Sequence, residues 1–473
     1  MKKVWGALRE QDALSPDQDD TSAAQTALYC SHFLSTWGQR MWEFSVGLIL
    51  LELHPASLAL VALFGLVDSL AQVMAGPHVG AYVDRTPRLT AAATMYRLQN
   101  IAVGVSAFSA FLASFLSPGD LFYWPFVLST IIHGAVSSVG CQGSSLSVER
   151  EWTKALCQGD SASLASLNAG MRRIDLTCLI ASPIMAGCLM TFGSMRAAIV
   201  GILLWNVLAW WPECRLLEVA QRFSPVLRQQ ELAPPSEGGP KLSVESVKGS
   251  LAKSGEAWQL YRSQAVFPAA LALALLYLTV MNFGLLMTAY LKWRGMLETT
   301  LSLYRAAGAL AGIGATMSFP ALHARLGLDG SGSLALVCQW GSLLVTLVLS
   351  SVLGSPACVH VLAAGLVASR FGLWAFDLAV SQMLQERVPN EQLGVVNGMQ
   401  SSLQNLLGSL SYALALFIWQ PQLFVVLMAG SVVVVSASLA LYLYFTGAQQ
   451  WLFERLNGQH SYQAMQGGPH EQA

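Results

Sequence analysis

Charge is what this 473-residue chain has least of. Only 11% of its residues are Asp, Glu, Lys or Arg, while 54% are hydrophobic. Soluble domains carry about 25% charged residues, so less than half the usual charge points to a polytopic membrane protein. The net charge of −1 excludes the basic surface that nucleic-acid binding needs. The eight cysteines fall mostly inside apolar runs and none forms a Cys-x-x-Cys pair, which indicates neither a disulfide framework nor a zinc site. No nucleophile stands beside a base and no nucleotide-binding loop is present, so the chain does not read as an enzyme. Residues 1–20 are polar and acidic and lack the apolar core of a cleavable signal. Of the histidines, only His133 falls near the middle of an apolar run, and no soft-metal site is visible in the second half.

Long apolar runs are what the chain has in their place. Taking runs of about 20 or more residues as membrane helices gives twelve, over 24–52, 57–83, 89–117, 121–149, 161–192, 195–219, 264–292, 298–323, 332–353, 357–386, 391–419 and 421–446. Most connections are short. The exception, 221–262, is rich in charge, Pro, Gly and Ser and reads as an interlobe linker. The expected organisation is a tail over 1–23, an N-lobe over 24–220, the linker over 221–262, a C-lobe over 263–447 and a tail over 448–473. Lys2, Lys3, Arg85, Arg88, Arg150, Lys154, Arg325 and Arg387 all fall on the side of the termini. The opposite loops carry little beyond Arg196, Lys292 and Arg294. The positive-inside rule then places both termini in the cytosol. The halves also echo each other, Asn168-Ala-Gly-Met171 with Asn397-Gly-Met399 and Glu149-Arg150 with Glu386-Arg387. The fold class is therefore all-α, with twelve transmembrane helices in two six-helix lobes and a major facilitator arrangement holding substrate between the lobes.

Polar residues inside the spans carry the functional signal. Ser35-Thr-Trp-Gly-Gln-Arg-Met-Trp-Glu-Phe44 lies within the first run and holds Gln39, Arg40 and Glu43, although each ionisable group at mid-membrane costs about 2.5–3.5 kcal/mol. On a helix Gln39 and Glu43 share a face, and two oxygen ligands one turn apart can hold a divalent metal. The alternative is that Glu43 pairs with Arg40, three residues away, and only steadies the helix. Gln99 and Asn206 can complete an oxygen shell or simply join helices by hydrogen bonds. Gly80-Ala-Tyr-Val-Asp84-Arg85-Thr-Pro-Arg88 reads as a gate loop between the second and third helices, or as an ordinary basic turn. Arg172, Arg173 and Asp175 are assigned to the same gate, with Asp84 or Glu151 as partners. Arg370 and Asp377, which frame an aromatic stretch in the tenth helix, are also placed with the gating residues. Asp68 is left unassigned, and Phe283-Gly284 marks a break in the seventh helix.

Seven motifs in order along the chain resemble the ferroportin family, solute carrier family 40. They are Ser35–Phe44, Gln99-Asn100, Arg150-Glu-Trp152, Arg172-Arg-Ile-Asp-Leu176, Thr191-Phe-Gly-Ser194, Gly372-Leu-Trp-Ala-Phe-Asp377 and Val396-Asn-Gly-Met-Gln400. The resemblance implies a major facilitator fold and export of ferrous iron, with cobalt, nickel or manganese accepted to varying degrees. It implies one metal site per lobe and exchange of metal for protons in vertebrate members. Their first-helix Asp and His positions hold Gln39 and Glu43 here, which leaves one carboxylate. Vertebrate calcium ligands are matched at Gln99 and Asn206, but Gln39 replaces an acid, so calcium dependence is doubtful. In the C-lobe the family's Cys and His ligands are matched by Leu285 and Ser411, and Gly284 stands for an adjacent Asp. Leu285 and Ser411 cannot make a metal site, and the resemblance implies insensitivity to hepcidin, which needs that Cys.

The expected function is export of divalent metal, ferrous iron first, by alternating access around Glu43, Gln39, Gln99 and Asn206. Metal binding that expels a proton from Glu43 offers one route to proton coupling. No cofactor is expected. The expected setting is the plasma membrane and the expected state a monomer. The rivals are a major facilitator exporter of an organic solute or metal chelate, and a non-transporting receptor or scaffold.

Overall fold

The computed structural model describes residues 18–158, 160–228, 255–352 and 357–466. The tail residues 1–17 and 467–473 and the middle of the expected linker, 229–254, lie outside them. Among the described residues every regular element is helical. Lipid offers the backbone no hydrogen-bonding partner, so a spanning segment must satisfy its own N–H and C=O groups, and a helix does so within one segment.

The N-lobe comprises α1 (Gln18–Leu53), α2 (Ala59–Arg85), α3 (Arg88–Ala113), α4 (Tyr123–Ser144), α5 (Ser161–Cys188) and α6 (Met195–Phe223). Two π-helical stretches extend it, Ser145–Trp152 after α4 and Leu189–Gly193 after α5. The C-lobe begins with a broken helix, α7a (Phe267–Leu275, with a 3-10 turn Leu276–Leu278) and α7b (Leu285–Trp293). Then come α8 over 298–326, α9 over 328–352, α10 (Ala357–Arg387), α11 (Asn390–Phe417) and α12 (Phe424–Gln466). Among the described residues, seven helical runs are long and apolar enough to cross a membrane, or eight with one bent pair. One of these, Glu298–Ser350, holds both α8 and α9. Helices α1, α3 and α11 miss that criterion, and each carries polar side chains needed inside the lobes.

Two elements differ from expectation, and a third breaks where the sequence places a break. The runs 298–323 and 332–353 are joined without a loop, and the chain turns at Gly327 (φ 67°, ψ −178°), a backbone conformation closed to residues with a Cβ. The fourth run does not stop at 149 but continues as helix to Cys157. The seventh is not one span. A short helix Gly255–Ser263 meets Phe267–Leu278 at 112°, and the backbone is non-helical over 279–284. Side chains satisfy the break. Asn282 Oδ1 accepts from Gly284 N at 2.6 Å, Asn282 Nδ2 donates to the Thr279 carbonyl at 2.9 Å, and Val280 N donates to Ser431 Oγ at 2.9 Å.

Within the N-lobe α3 packs on α4 and α6, and α1 on α5 and α6. Close approach is made by small residues, as is usual between membrane helices. At Gly140 of α4 a Cβ would stand 2.7 Å from the backbone nitrogen of Gln99 on α3. The lobes meet through α5 against α8 and α2 against α11, with α7b against α1. These contacts cluster at the end away from the termini. There Leu58 N donates to the Trp419 carbonyl at 2.9 Å, and Thr299 Oγ1 donates to the Gly187 carbonyl at 3.3 Å. At the terminal end Asp84, Arg85, Arg172 and Arg173 are exposed. The two lobes are thus closed on the far side and parted on the side of the termini, as a major facilitator transporter is in one of its alternating states.

Candidate functional site

A cavity of about 420 Å³ lies between the lobes. Helix α1 brings Gln39 and Glu43 to its wall, α2 brings Asp68 and Gln72, α8 brings Arg305, and α11 brings Tyr412. Gln39 and Glu43 are four residues apart, one above the other on α1. Gln39 Nε2 donates to Glu43 Oε1 at 3.3 Å, and Arg40 Nη1 donates to Glu43 Oε2 at 2.8 Å. The pairing of Glu43 with Arg40, weighed above as the purely structural alternative, is therefore what this state contains. It is not a deeply buried pair. The two side chains are 33% and 31% exposed, and ion pairs open to water contribute about 0–1 kcal/mol.

Gln39 Oε1 is buried with no hydrogen-bond partner. An amide that turns its nitrogen toward a carboxylate leaves its oxygen free. A cation beside Glu43 would draw that oxygen in, giving two oxygen ligands from one helix face. Asp68 adds a second carboxylate. Its Oδ2 accepts from Gln72 Nε2 at 2.9 Å, and its Oδ1 is buried without a partner. Arg305 stands opposite from the C-lobe, its guanidinium carbon 5.9 Å from the centroid of the Phe44 ring.

Gln99 and Asn206 do not line this cavity. Gln99 donates through Nε2 to the Ser35 carbonyl at 3.4 Å and to Ser35 Oγ at 3.3 Å, and its Oε1 accepts from Ser144 Oγ at 3.3 Å. That locks α3 to α1 and α4. Asn206 Nδ2 donates to the Ile202 carbonyl at 2.8 Å, while its Oδ1 is buried and unpartnered, facing Gly38 of α1. In this state the four expected ligands are two at the cavity and two within the lobe. No group of three His, Cys, Asp or Glu side chains forms a ready metal cluster among the described residues.

The expected gating residues are spread over both lobes. Asp84 and Arg85 end α2, Arg88 opens α3 with its carbonyl accepting from Trp152 Nε1 at 3.4 Å, and Glu151 sits in the π-helical stretch nearby. Arg172 and Arg173 are exposed on α5. Asp175, one turn on, is bonded to neither basic neighbour but to His32 Nε2 of α1 at 3.0 Å. Arg370 is not at the terminal surface. It reaches into the C-lobe and donates to the Met281 carbonyl at 3.3 Å. Asp377 is half-buried on α10. In the C-lobe Leu285 opens α7b and packs on Gly47, and Ser411 Oγ donates to the Gly408 carbonyl at 2.7 Å.

Several residues stand out only in three dimensions. His32 is buried within α1, so His133 is not the sole histidine inside a span. Glu213 of α6 is fully buried, its Oε2 accepting from Asn100 Nδ2 at 2.7 Å and its Oε1 unpartnered. Arg305 interrupts the apolar pattern of α8. An acid or base with no opposite charge three or four positions away is the signal that marks Asp68 and Glu213.

The Ferroportin1 family model matches residues 22–435. A rice protein (Oryza sativa subsp. japonica), solute carrier family 40 member 1, is 35% identical over 439 residues, covering 89% of this chain and 91% of its own. A bacterial homologue of the iron transporter ferroportin in an inward-facing state superposes with a TM-score of 0.76 at 24% identity, over 89% of this chain and 98% of that one. The outward-facing homologue soaked with iron gives 0.59 at 25% identity, over 89% and 99%. With the family model spanning both lobes and a relative this similar over nine-tenths of its length, the chain belongs to the ferroportin family.

Proposed function

We propose that this protein exports divalent metal, ferrous iron first, by rocking its two lobes about the cavity that holds Glu43. One observation carries the reading. A mid-membrane carboxylate faces the interlobe cavity in a partly exposed ion pair, with an unpartnered amide oxygen one turn away. Entry of a doubly charged ion would exchange Arg40 for the metal, leaving Glu43 and Gln39 as its first ligands. Asp68 would balance the charge from across the cavity, and Gln99 and Asn206 would join only if α1 shifts against α3 and α6. Leu285 and Ser411 offer no ligand, so the N-lobe holds the dominant site and hepcidin has no thiol to engage at Leu285.

The terminal side is the cytosol in this reading, because Lys and Arg concentrate there, and the state described is then inward-facing. The plasma membrane and a monomeric state are the accompanying proposals. The test is flux of ferrous iron and cobalt into proteoliposomes, for the wild type and Glu43→Ala. A drop of roughly tenfold or more is expected for the variant. Equal flux in both would remove Glu43 from the site, and absence of flux for every divalent metal would remove the function.

A further inference from the structure

A second cavity, of about 370 Å³, lies in the C-lobe beside the break in the seventh helix. Arg305 and Arg370 line it, with Asn282, Gln339, Tyr277 and Trp374. No carboxylate lines it. Asp377, two turns along α10 from Arg370, is within electrostatic reach of Tyr277 but stays outside the wall. Two guanidiniums are thus brought to one cavity that has no acid among its lining residues. Arg305 lies within electrostatic reach of Glu43 but forms no ion pair with it among the described residues. Arg370 donates through Nη2 to the Met281 carbonyl, and its Nε is buried with no hydrogen-bond partner.

The backbone adds to the same field. Gly284, at the cavity wall, caps the nine-residue α7b. The first turn of a helix has N–H groups with no intrahelical acceptor and a partial positive charge. Two arginines, a helix start without a side-chain cap and no acid in the wall make a receptor for an anion. The planar fork favours a carboxylate over a spherical halide. Gln339 Oε1 is also buried without a donor, so the wall holds one acceptor among its donors. A hydroxyl on the ligand would satisfy it. Trp374 and Tyr277 supply apolar faces for a short carbon chain.

We propose that this C-lobe cavity binds a small hydroxycarboxylate. The carboxylate sits between Arg370, Arg305 and the start of α7b, and the hydroxyl donates to Gln339 Oε1. The two cavities share Arg305 and Gly284, so an anion here would lie next to a cation at Glu43 and offset its charge. This binding does not depend on the metal reading and is measured without metal.

The experiment is titration of the full-length protein in lipid nanodiscs with L-malate, followed by calorimetry and tryptophan fluorescence. Succinate, inorganic phosphate and chloride are titrated in parallel. Saturable malate binding is expected, weakened about tenfold or more in Arg370→Gln. Gln339→Leu is expected to erase the preference of malate over succinate. It also serves as the second variant if Arg370→Gln does not fold. No saturable binding by the wild type would overturn the proposal, as would equal binding in Arg370→Gln. Phosphate or chloride binding as tightly as malate would overturn the carboxylate assignment. A malate-binding protein that moves no metal would fail only the export reading, and a metal exporter that binds no malate only this one.

Discussion

Thr191, in the π-helical stretch after α5, donates a hydrogen bond of 3.2 Å to Glu298, at the start of α8, and so ties the N-lobe to the C-lobe on the far side. The tie is a small network. Thr191 Oγ1 also accepts from Thr299 N at 3.1 Å, and Lys292 pairs with the other oxygen of Glu298. Glu298 is buried, and a hydrogen bond to a charged group contributes about 1.5–3 kcal/mol. Thr191→Val keeps the shape and removes the bond. It is expected to raise the far-side-open population about tenfold, measured as faster labelling of a cysteine placed at Ser302 by a membrane-impermeant maleimide. Unchanged labelling would show that the bond does not hold the state closed.

Arg40 competes with metal for Glu43 if Glu43 is the ligand. Arg40→Gln is then expected to strengthen cobalt binding by several-fold, because a pair worth about 0–1 kcal/mol no longer has to be broken. Calorimetry in detergent reads this directly. Weaker binding in the variant would mean that Arg40 positions Glu43 rather than competing with the metal.

Asp68 shares the cavity with Glu43 and has one oxygen free. Removing its charge in Asp68→Asn leaves the hydrogen bond to Gln72 possible and the packing intact. Iron flux is expected to fall by roughly tenfold with thermal stability little changed. Retained flux would confine the metal to α1.

Two glycines separate lobe closure from lobe folding. At Gly65 a Cβ would stand 2.4 Å from the Tyr412 ring across the lobe interface, and at Gly140 it would press on the α3 backbone. Gly140→Ala is expected to cost about 1–3 kcal/mol as overpacking inside the N-lobe, seen as a lowered Tm. Gly65→Ala is expected to leave Tm nearly unchanged and to part the lobes at the far side, read by the same maleimide labelling. A lowered Tm in Gly65→Ala would show that the interface is part of the folding core.

Much of the fold is legible in the chain itself. Apolar runs of spanning length give the helices, because lipid forces each run to satisfy its own backbone. The break at Phe283-Gly284 is legible too, since Asn and Gly together can cap and turn the chain. The junction at Gly327 is not, because the intervening residues 324–331 are as compatible with a loop as with a bent helix. The site is legible only in part. Glu43 and Gln39 stand out because their cost in lipid demands a reason. Gln99 and Asn206 stand out equally, yet their side chains bond within the lobe, and Asp175 chooses His32 over the basic residues beside it in sequence.

By itself the sequence determined a twelve-helix, two-lobe membrane protein with one exceptional carboxylate in its first helix. Periodicity and composition suffice for that, since both follow from exclusion of water and charge from lipid. Only the tertiary structure decided which polar groups face a cavity and which face a neighbouring helix. It brought Asp68 and Arg305 to the wall with Glu43, and left Arg370 beside an acid-free cavity. Those outcomes depend on how helices distant in sequence cross. A side chain's partner across such a crossing is set by rotation and tilt, which no local pattern along the chain encodes.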